Sequence, residues 1–193
     1  MAYTTTPIAF SGTASNGALQ IKPADIYVGA LVGGVASGMV YIGYSNQQLA
    51  LTINQTETDY MQNGVPVETV PISKDASAKF RLDEWDTKHL AFALGLDKYL
   101  SDSVASKERV AISAENITPK EWYIRFVTET VDNEPVQFDI PRGQVKVDGD
   151  IVFGGGNENP SFNGISINVK ALAADVKLDG STDTKVLAFY ERG

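Results

Sequence analysis

Ala76-Ser77-Ala78-Lys79-Phe80-Arg81-Leu82 is the stretch that decides the fold, because apolar and polar residues alternate strictly along it. Successive side chains of a β-strand point to opposite faces of the sheet, so this period places the apolar residues on one face and the polar residues on the other. The stretch therefore predicts a strand with one buried face and one face in water.

The same alternation recurs through the chain, in runs separated by glycine, proline, asparagine and aspartate. The chain also holds 31 valine and isoleucine residues against 12 leucines, a bias that favours pleated sheets. Short strands separated by turn residues are typical of a β-sandwich or a β-barrel, so we expect an all-β fold. The further runs are Leu49 to Ile53, Trp122 to Val127, Val136 to Ile140, Val145 to Val147, Ile151 to Phe153, Ile165 to Val169 and Val186 to Tyr190.

One segment, Asp86 to Leu94, has helical features instead. Asp86 or Thr87 can cap the first amides, Leu90 and Leu94 stand four residues apart, and Gly95 follows where a left-handed residue ends many helices. The apolar face of this segment is narrow, which suits one short helix that covers an open side of the sheets.

Length and composition limit the possible classes of protein. The chain has 193 residues, no cysteine, and 16 basic against 24 acidic side chains, which gives a net charge of −8. The length predicts one domain, or at most two small ones, and the lack of cysteine excludes disulfide scaffolds and thiolate metal sites. The acidic balance argues against binding nucleic acid through counterion release. The start lacks a secretory signal, and glycines interrupt the most apolar window, Ile26 to Tyr44, so we expect a cytoplasmic product without a membrane span.

Three segments fit neither a core nor a tight turn. Residues 1–23 are expected to be an N-terminal arm ahead of a single domain over residues 24–193. Thr56 to Pro71 contains the turn pair Asn63-Gly64 and valines with no evident core, which indicates a protruding hairpin. Gly154 to Pro160 has the composition of a flexible loop.

The sequence carries no recognisable catalytic or cofactor motif. His89 is the only histidine and has no acidic or histidine partner at ligand spacing, so we expect a structural or surface role. The glycine run at Gly154 lacks the lysine of a phosphate loop, and Asp148-Gly149-Asp150 lacks the other ligands of a calcium loop. Paired acids such as Asp83 and Glu84 lie beside turns, where solvated carboxylates are common. We therefore expect no enzyme, metal site or cofactor, and a structural or binding role.

The elements follow one another in a recognisable order: two glycine-punctuated strands, a strand that runs into an acidic segment, a returning hairpin strand, an acidic turn with the helix, a Pro-Arg strand end and two closing strands. These segments are Ala24 to Gly29, Met39 to Tyr44, Leu49 to Asp59, Val70 to Leu82, Asp83 to Gly95, Phe138 to Gly143, Ile165 to Leu172 and Phe189 to Gly193. In this order the chain resembles the major tail tube proteins of tailed bacteriophages, which are relatives of the secreted tube protein of type VI secretion systems. The likeness covers nearly the whole chain after Ala24, and Ser101 to Pro119 departs from it.

The resemblance implies a β-sandwich or barrel-like fold with one flanking α-helix and a long protruding hairpin. It implies stacked hexameric rings in the virion tail, assembled in the host cytoplasm, that form the hollow conduit for DNA ejection. The implied partners are copies of itself, a tape measure protein, a tail terminator, baseplate or tail-tip proteins and, in contractile tails, a sheath protein. DNA would pass an acidic lumen without specific binding. The expected ring-stacking interface is the hairpin tip, with Tyr60, Met61, Val65 and Val67.

Two other hypotheses stay open. A protein of the same fold could serve as a tail-tip or baseplate hub, or as an exported tube protein. A β-sandwich carbohydrate-binding module or glycan hydrolase would need an exposed aromatic platform or a carboxylate pair in a cleft. Trp85 is the candidate for such a platform, whereas Trp122 lies on an alternating apolar face and is expected in the core.

Overall fold

The structure, a computed structural model, describes residues 23–45, 49–83, 86–102, 105–112, 119–129, 133–151, 164–180 and 183–192. The predicted N-terminal arm, apart from Pro23, and the predicted loop Gly154 to Pro160 lie outside these ranges, as does Trp85.

Within those ranges the chain forms twelve strands and one short helix, which confirms the predicted all-β class. In chain order the elements are β1 (Ala24–Val32), β2 (Val35–Ser45), β3 (Ala50–Gln62), β4 (Val65–Leu82), α1 (Thr87–Ala93), β5 (Leu100–Asp102), β6 (Lys107–Arg109), β7 (Glu121–Glu129), β8 (Pro135–Val147), β9 (Ile165–Ala171), β10 (Ala174–Lys177), β11 (Asp183–Val186) and β12 (Phe189–Arg192).

Eight of the strands form one antiparallel sheet in the order β2-β1-β7-β8-β9-β4-β3, with β12 joined to β8. The long strand β8 has two partners along one of its sides: residues 136–139 pair with β12, and residues 143–147 pair with β9. The pairs β10–β11 and β5–β6 are separate two-stranded ribbons. The described part of the sheet stays open, with β2 at one edge and β3 at the other, so it is not a closed barrel.

The sheet folds over on itself so that β4 faces β7. The rings of Phe80 on β4 and Phe126 on β7 meet edge to face, with their centroids 5.1 Å apart. On the open side, the backbone N–H of Asp83 lies 3.5 Å from the carbonyl oxygen of Tyr44, which brings the end of β4 to the end of β2. This arrangement makes two facing layers of one curled sheet.

The core lies between these layers and is built by the alternating runs. The apolar side of the run that begins at Ala76 is buried along its whole length, as predicted, and the apolar side of the run from Ile165 to Val169 is buried beside it on the neighbouring strand of the same sheet. The largest contributors are Ile26, Phe80, Leu82, Ile124, Phe126, Ile140, Val145, Ile165, Ile167 and Val169.

Helix α1 covers one end of the core. Asp86 caps it, because its carboxylate accepts hydrogen bonds from the backbone N–H groups of Lys88 at 2.7 Å and His89 at 3.1 Å. Gly95 follows with a φ of +73°, the left-handed conformation predicted for the stop. Phe92 supplies the large buried side chain of the helix, and its ring centroid lies 5.8 Å from that of the partly buried Trp122.

One strand prediction was wrong and another was right only in part. Val186 to Tyr190 is not one strand: Val186 ends β11 and Phe189 begins β12, because the chain changes its pairing partner from β10 to β8 between them. Residues 50–53 of the run Leu49 to Ile53 do form a strand, the start of β3, but no residue of β3 is buried. The alternating residues Leu51 and Ile53 therefore lie on the surface of the hairpin and not in the core.

Candidate assembly surface

Strands β3 and β4 form a hairpin whose outer part has no core beneath it. All 13 residues of β3 are exposed, and β4 is exposed from Val65 until burial begins at Ala76. Asn63 and Gly64 turn the tip with φ values of 54° and 78°, the left-handed conformation that a two-residue hairpin turn requires at both positions. The hairpin predicted over Thr56 to Pro71 is therefore present, and it protrudes.

The four residues predicted at the tip are all large apolar side chains in solvent. Tyr60 is 63% exposed, Met61 53%, Val65 61% and Val67 58%. Exposed apolar side chains clustered at one hairpin tip in this way mark a site of interaction with another molecule in many soluble proteins. Their role in ring stacking stays a prediction.

The strand register divides these four residues between the two faces of the hairpin. Tyr60 and Met61 are neighbours in an extended strand, so their side chains point to opposite faces. Val65 pairs with Gln62 and therefore shares the face of Tyr60, and Val67 lies at a register shift without a paired residue on β3. Both faces of the ribbon thus carry apolar groups, and the four residues do not form a single patch.

Four further apolar residues extend this surface toward the base of the hairpin. The sequence had indicated that Val70 lacks a core, but the other three were missed. Ile53 and Ile72 are each 63% exposed, Leu51 is 41% exposed and Val70 is 42% exposed. Leu51 and Ile53 have the alternation of a buried strand. The signal that sets them apart is the wholly polar run 54–59 that follows them.

The hairpin is also acidic. Glu57, Asp59 and Glu68 lie on it, and residues 55–73 contain no lysine or arginine. The Thr69 hydroxyl donates a hydrogen bond to the Asp59 carboxylate at 2.7 Å, across the two strands. Apolar side chains and negative charge therefore share one narrow ribbon.

A second apolar patch lies at the opposite edge of the sheet, on the hairpin of β1 and β2. Val32 is 57% exposed, Val35 53% and Val40 61%. The half-exposed ring of Tyr41 packs edge to face on that of Tyr27, with 5.5 Å between the centroids. Each edge of the sheet thus has apolar surface beside it.

A cleft of about 580 Å³ opens on the outer face of β7 and β8, between the β10–β11 ribbon, the β1–β2 turn and β12. Asp139 is fully buried beneath it. It accepts hydrogen bonds from the Tyr123 hydroxyl at 2.6 Å, from Arg125 at 2.9 and 3.0 Å, and from the Gln137 amide at 2.9 Å. Burial and the bond to Asp139 raise the pKa of Tyr123, and Asp139 raises the pKa of Arg125. These donors serve a buried carboxylate, which is a structural arrangement.

The environment of His89 supports the structural role expected for it. Its ring Nδ1 accepts a hydrogen bond from the backbone N–H of Asp86 at 3.0 Å, which completes a reciprocal cap at the start of α1. The expectation that His89 has no acidic partner was wrong, because the Asp86 carboxylate lies 2.8 Å from the same nitrogen. The Asp86 carboxylate already accepts hydrogen bonds from the backbone N–H groups of Lys88 and His89.

Within the described residues, no group of three or more histidine, aspartate or glutamate side chains could hold a metal ion. No described helix has the length and apolar character needed to cross a membrane. No protein-family model matches the sequence, and a search of curated proteins finds no significant match.

Proposed function

We propose that this protein is a structural subunit of a phage tail tube, whose copies assemble into stacked hexameric rings around a conduit for DNA. The observation that carries the proposal is the hairpin of β3 and β4. Eight large apolar side chains stand exposed on it between Leu51 and Ile72. Contacts with neighbouring copies would remove this surface from water, at roughly 25 cal/mol for each Å² of apolar area buried.

The distribution of these side chains favours an assembly with many copies over a single pair. Because apolar residues lie on both faces of the hairpin, two different neighbours are needed to cover it. The sheet also has two different edges, β2 and β3. When unlike surfaces of successive copies meet, the result is a ring if the rotation closes.

The net charge suits a conduit for nucleic acid. Each copy contributes a charge of −8, so a ring carries a large negative charge. Acidic groups that face the lumen would repel DNA phosphates and let the genome slide. In this proposal the other partners are a tape measure protein inside the tube, a terminator and baseplate or tail-tip proteins at its ends, and a sheath where the tail contracts.

Negative-stain electron microscopy of the purified protein at two salt concentrations tests the proposal. We expect hollow tubes of uniform width, alone or after addition of a baseplate extract. Deletion of residues 59–67 should leave a folded, soluble protein that makes no tubes, since the core begins only at Ala76. The matched control is Ile112→Ser, which removes a side chain that is 80% exposed outside the hairpin and should leave tubes intact.

Three results would contradict the proposal. The first is a wild-type protein that forms no rings or tubes even with the baseplate extract. The second is a deletion variant whose circular dichroism shows an unfolded chain, because the hairpin would then belong to the folding core. The third is a deletion variant that still makes normal tubes.

A further inference from the structure

The outer side of β3 is an unbroken strand edge. Within the described residues, β3 pairs only with β4 and ends the sheet. It contains no proline, glycine or lysine, the residues that commonly guard an edge. Both register shifts of the hairpin leave their extra residues, Ile72 and Val67, on β4, so every residue of β3 stays in regular alternation.

The opposite edge of the sheet is guarded. Strand β2 has Gly38 and Gly43 at φ values of +61° and +129°, outside the conformation of a regular strand. Its pairing with β1 shifts register twice, at Ile26/Tyr27 and between Val28 and Ala30. Bulges of this kind interrupt the row of outward N–H and C=O groups that a further strand would need. A regular strand can therefore add along β3 but not along the whole of β2.

The protruding hairpin gains from such an addition. A two-stranded ribbon alone in water is marginally stable, whereas three or more strands with an apolar face are stable. The outer hairpin is a ribbon of this kind, since all of β3 and the first part of β4 are exposed. Two hairpins joined along β3 would make a four-stranded sheet.

We propose that two copies of the free protein pair through β3, antiparallel and around a two-fold axis at Thr56. Thr56 is the midpoint of the 13 residues of β3, so centring the axis there overlaps every residue of both strands. Residue i then lies opposite residue 112 − i of the second copy, which follows from the symmetry. The pairs on the face of Ile53 are Leu51 with Met61, Ile53 with Asp59, and Gln55 with Glu57.

Charge excludes the registers centred on Glu57, Thr58 and Asp59, whereas overlap favours Thr56 over Gln55: an axis at Gln55 also opposes no two carboxylates but pairs 11 of the 13 residues of β3 instead of all of them. At Thr56 no carboxylate lies directly opposite another. The Gln55 amide donates one N–H to Glu57 of its own chain, which leaves its other N–H for the second copy's Glu57 opposite it. A two-fold axis at Glu57 or at Asp59 would place that residue opposite its own copy. An axis at Thr58 would place Glu57 opposite the second copy's Asp59. Like charges directly opposite each other destabilise an antiparallel pair.

The inference concerns the free protein and does not depend on the proposed function. A dimer that occupies the β3 edge would keep that edge from the neighbours in a ring, so the two states compete. Tube growth would then require the dimer to separate, which gives a guard against premature assembly. Dimer formation and tube formation are measured separately, so either can fail alone.

Single cysteine variants test the register directly, because the chain has no cysteine of its own. Opposed residues in an antiparallel pair have Cα atoms roughly 4.5–5.5 Å apart, within the range of a disulfide. Thr56→Cys should therefore form a disulfide-linked dimer under mild oxidation. Thr52→Cys is the matched control: its two copies would lie eight residues apart along the strand, roughly 26 Å, and should not link.

Two outcomes of the cysteine test would overturn the proposal. One is a Thr56→Cys protein that forms no disulfide: if the wild type sediments as a monomer there is no dimer, and if it sediments as a dimer the copies meet at a different contact. The other is equal cross-linking of both variants, which would report random collision. If the wild type forms tubes but Thr56→Cys forms no cross-link, the dimer is refuted and the proposed function stands. If the cross-link forms but no tubes appear, the dimer stands and the proposed function is refuted.

A charge exchange at Ile53 gives a second measurement. In the two-fold dimer, residue 53 of each copy lies opposite Asp59 of the other. Ile53→Asp would therefore create two pairs of like charges, whereas Ile53→Lys would create two pairs of opposite charges. Both remove the same side chain, 63% exposed. By sedimentation, the Asp variant should dimerise at least about fivefold more weakly than the Lys variant. Ile112→Asp and Ile112→Lys are the controls: they change the net charge by the same amounts as the Ile53 variants, and both should leave the dissociation constant of the dimer nearly unchanged. Equal dissociation constants for the two Ile53 variants would overturn the register.

Discussion

Phe80 and Phe126 touch across the fold although their strands are not neighbours in the sheet: the two rings lie edge to face at 5.1 Å, with β8 and β9 between β4 and β7 in the strand order. Edge-to-face pairs add about 0.5–1.5 kcal/mol beyond the burial of their area. The contact therefore holds the two layers of one curled sheet together.

Phe80→Ala should consequently destabilise the whole domain. The substitution leaves a cavity between the layers, since Phe80 is buried and packs on Phe126. We expect a loss of about 3–5 kcal/mol in the free energy of unfolding, measured by urea denaturation. Tyr60→Ala, which removes an aromatic ring 63% exposed on the hairpin, is the control and should change the free energy by less than about 1 kcal/mol. A similar loss in both variants would mean that the hairpin belongs to the core.

Tyr123 predicts how stability depends on alkaline pH. Burial and the bond to Asp139 raise its pKa above the usual 10.0, so above that pH the unfolded chain loses a proton that the folded chain keeps. The free energy of unfolding should fall as the pH rises past about 10, by up to about 1.4 kcal/mol per pH unit for this group. Tyr123→Phe should remove that part of the slope. Urea unfolding between about pH 9 and 11 measures it, with exposed Tyr190→Phe as the control for the loss of a tyrosine.

Gly143 is required by close packing and not by its backbone conformation. A Cβ atom there would lie 2.7 Å from Cγ1 of Val169 and 3.1 Å from Cδ1 of Ile124, both in the core. Gly143→Ala should cost about 1–3 kcal/mol through overpacking. Val169→Ala removes the closest atom, so the double variant should be less destabilised than the sum of the two single losses by at least about 0.5 kcal/mol. Strict additivity would show that the strain lies elsewhere.

The cap of α1 predicts a loss of stability in acid. Burial alone would raise the pKa of Asp86, but the N–H groups of His89 and Lys88 outweigh it and lower the pKa below 3.8. The contribution of the ionised cap is therefore present above that pH and is lost as the pH falls through the lowered pKa. Asp86→Ala should cost about 1 kcal/mol at neutral pH. Asp86→Ser keeps an acceptor that does not titrate, so its loss in acid should be smaller than that of the wild type.

The inner strands and the helix stop could be predicted because their signals are local. The run that begins at Ala76 has the alternation of apolar and polar residues expected for a strand with one buried face, and Gly95 supplies the left-handed residue after α1. The identity of the buried helix residue was less accessible. Phe92 enters the core because of the direction in which α1 lies on the sheet, which depends on distant strands.

The surface features could not be predicted because they depend on what covers each face. Leu51 and Ile53 alternate as buried residues do, yet no layer packs over them. Asp139 shows the converse: it alternates outward between Phe138 and Ile140, as a solvent residue does, but it is buried with Tyr123 and Arg125 at the floor of the cleft. The four tip residues were located correctly on the hairpin, but their division between its two faces follows from the strand register.

The start of burial at Ala76 separates two kinds of selection within one continuous strand. Substitutions in β4 from Ala76 onward are constrained by the stability of the fold, whereas substitutions in the exposed outer hairpin are constrained only by its contacts with binding partners. The ribbon can therefore diverge quickly among descendants of this chain while the interior is retained, and Ile53 and Asp59, which the proposed β3 dimer would pair, would then change in concert.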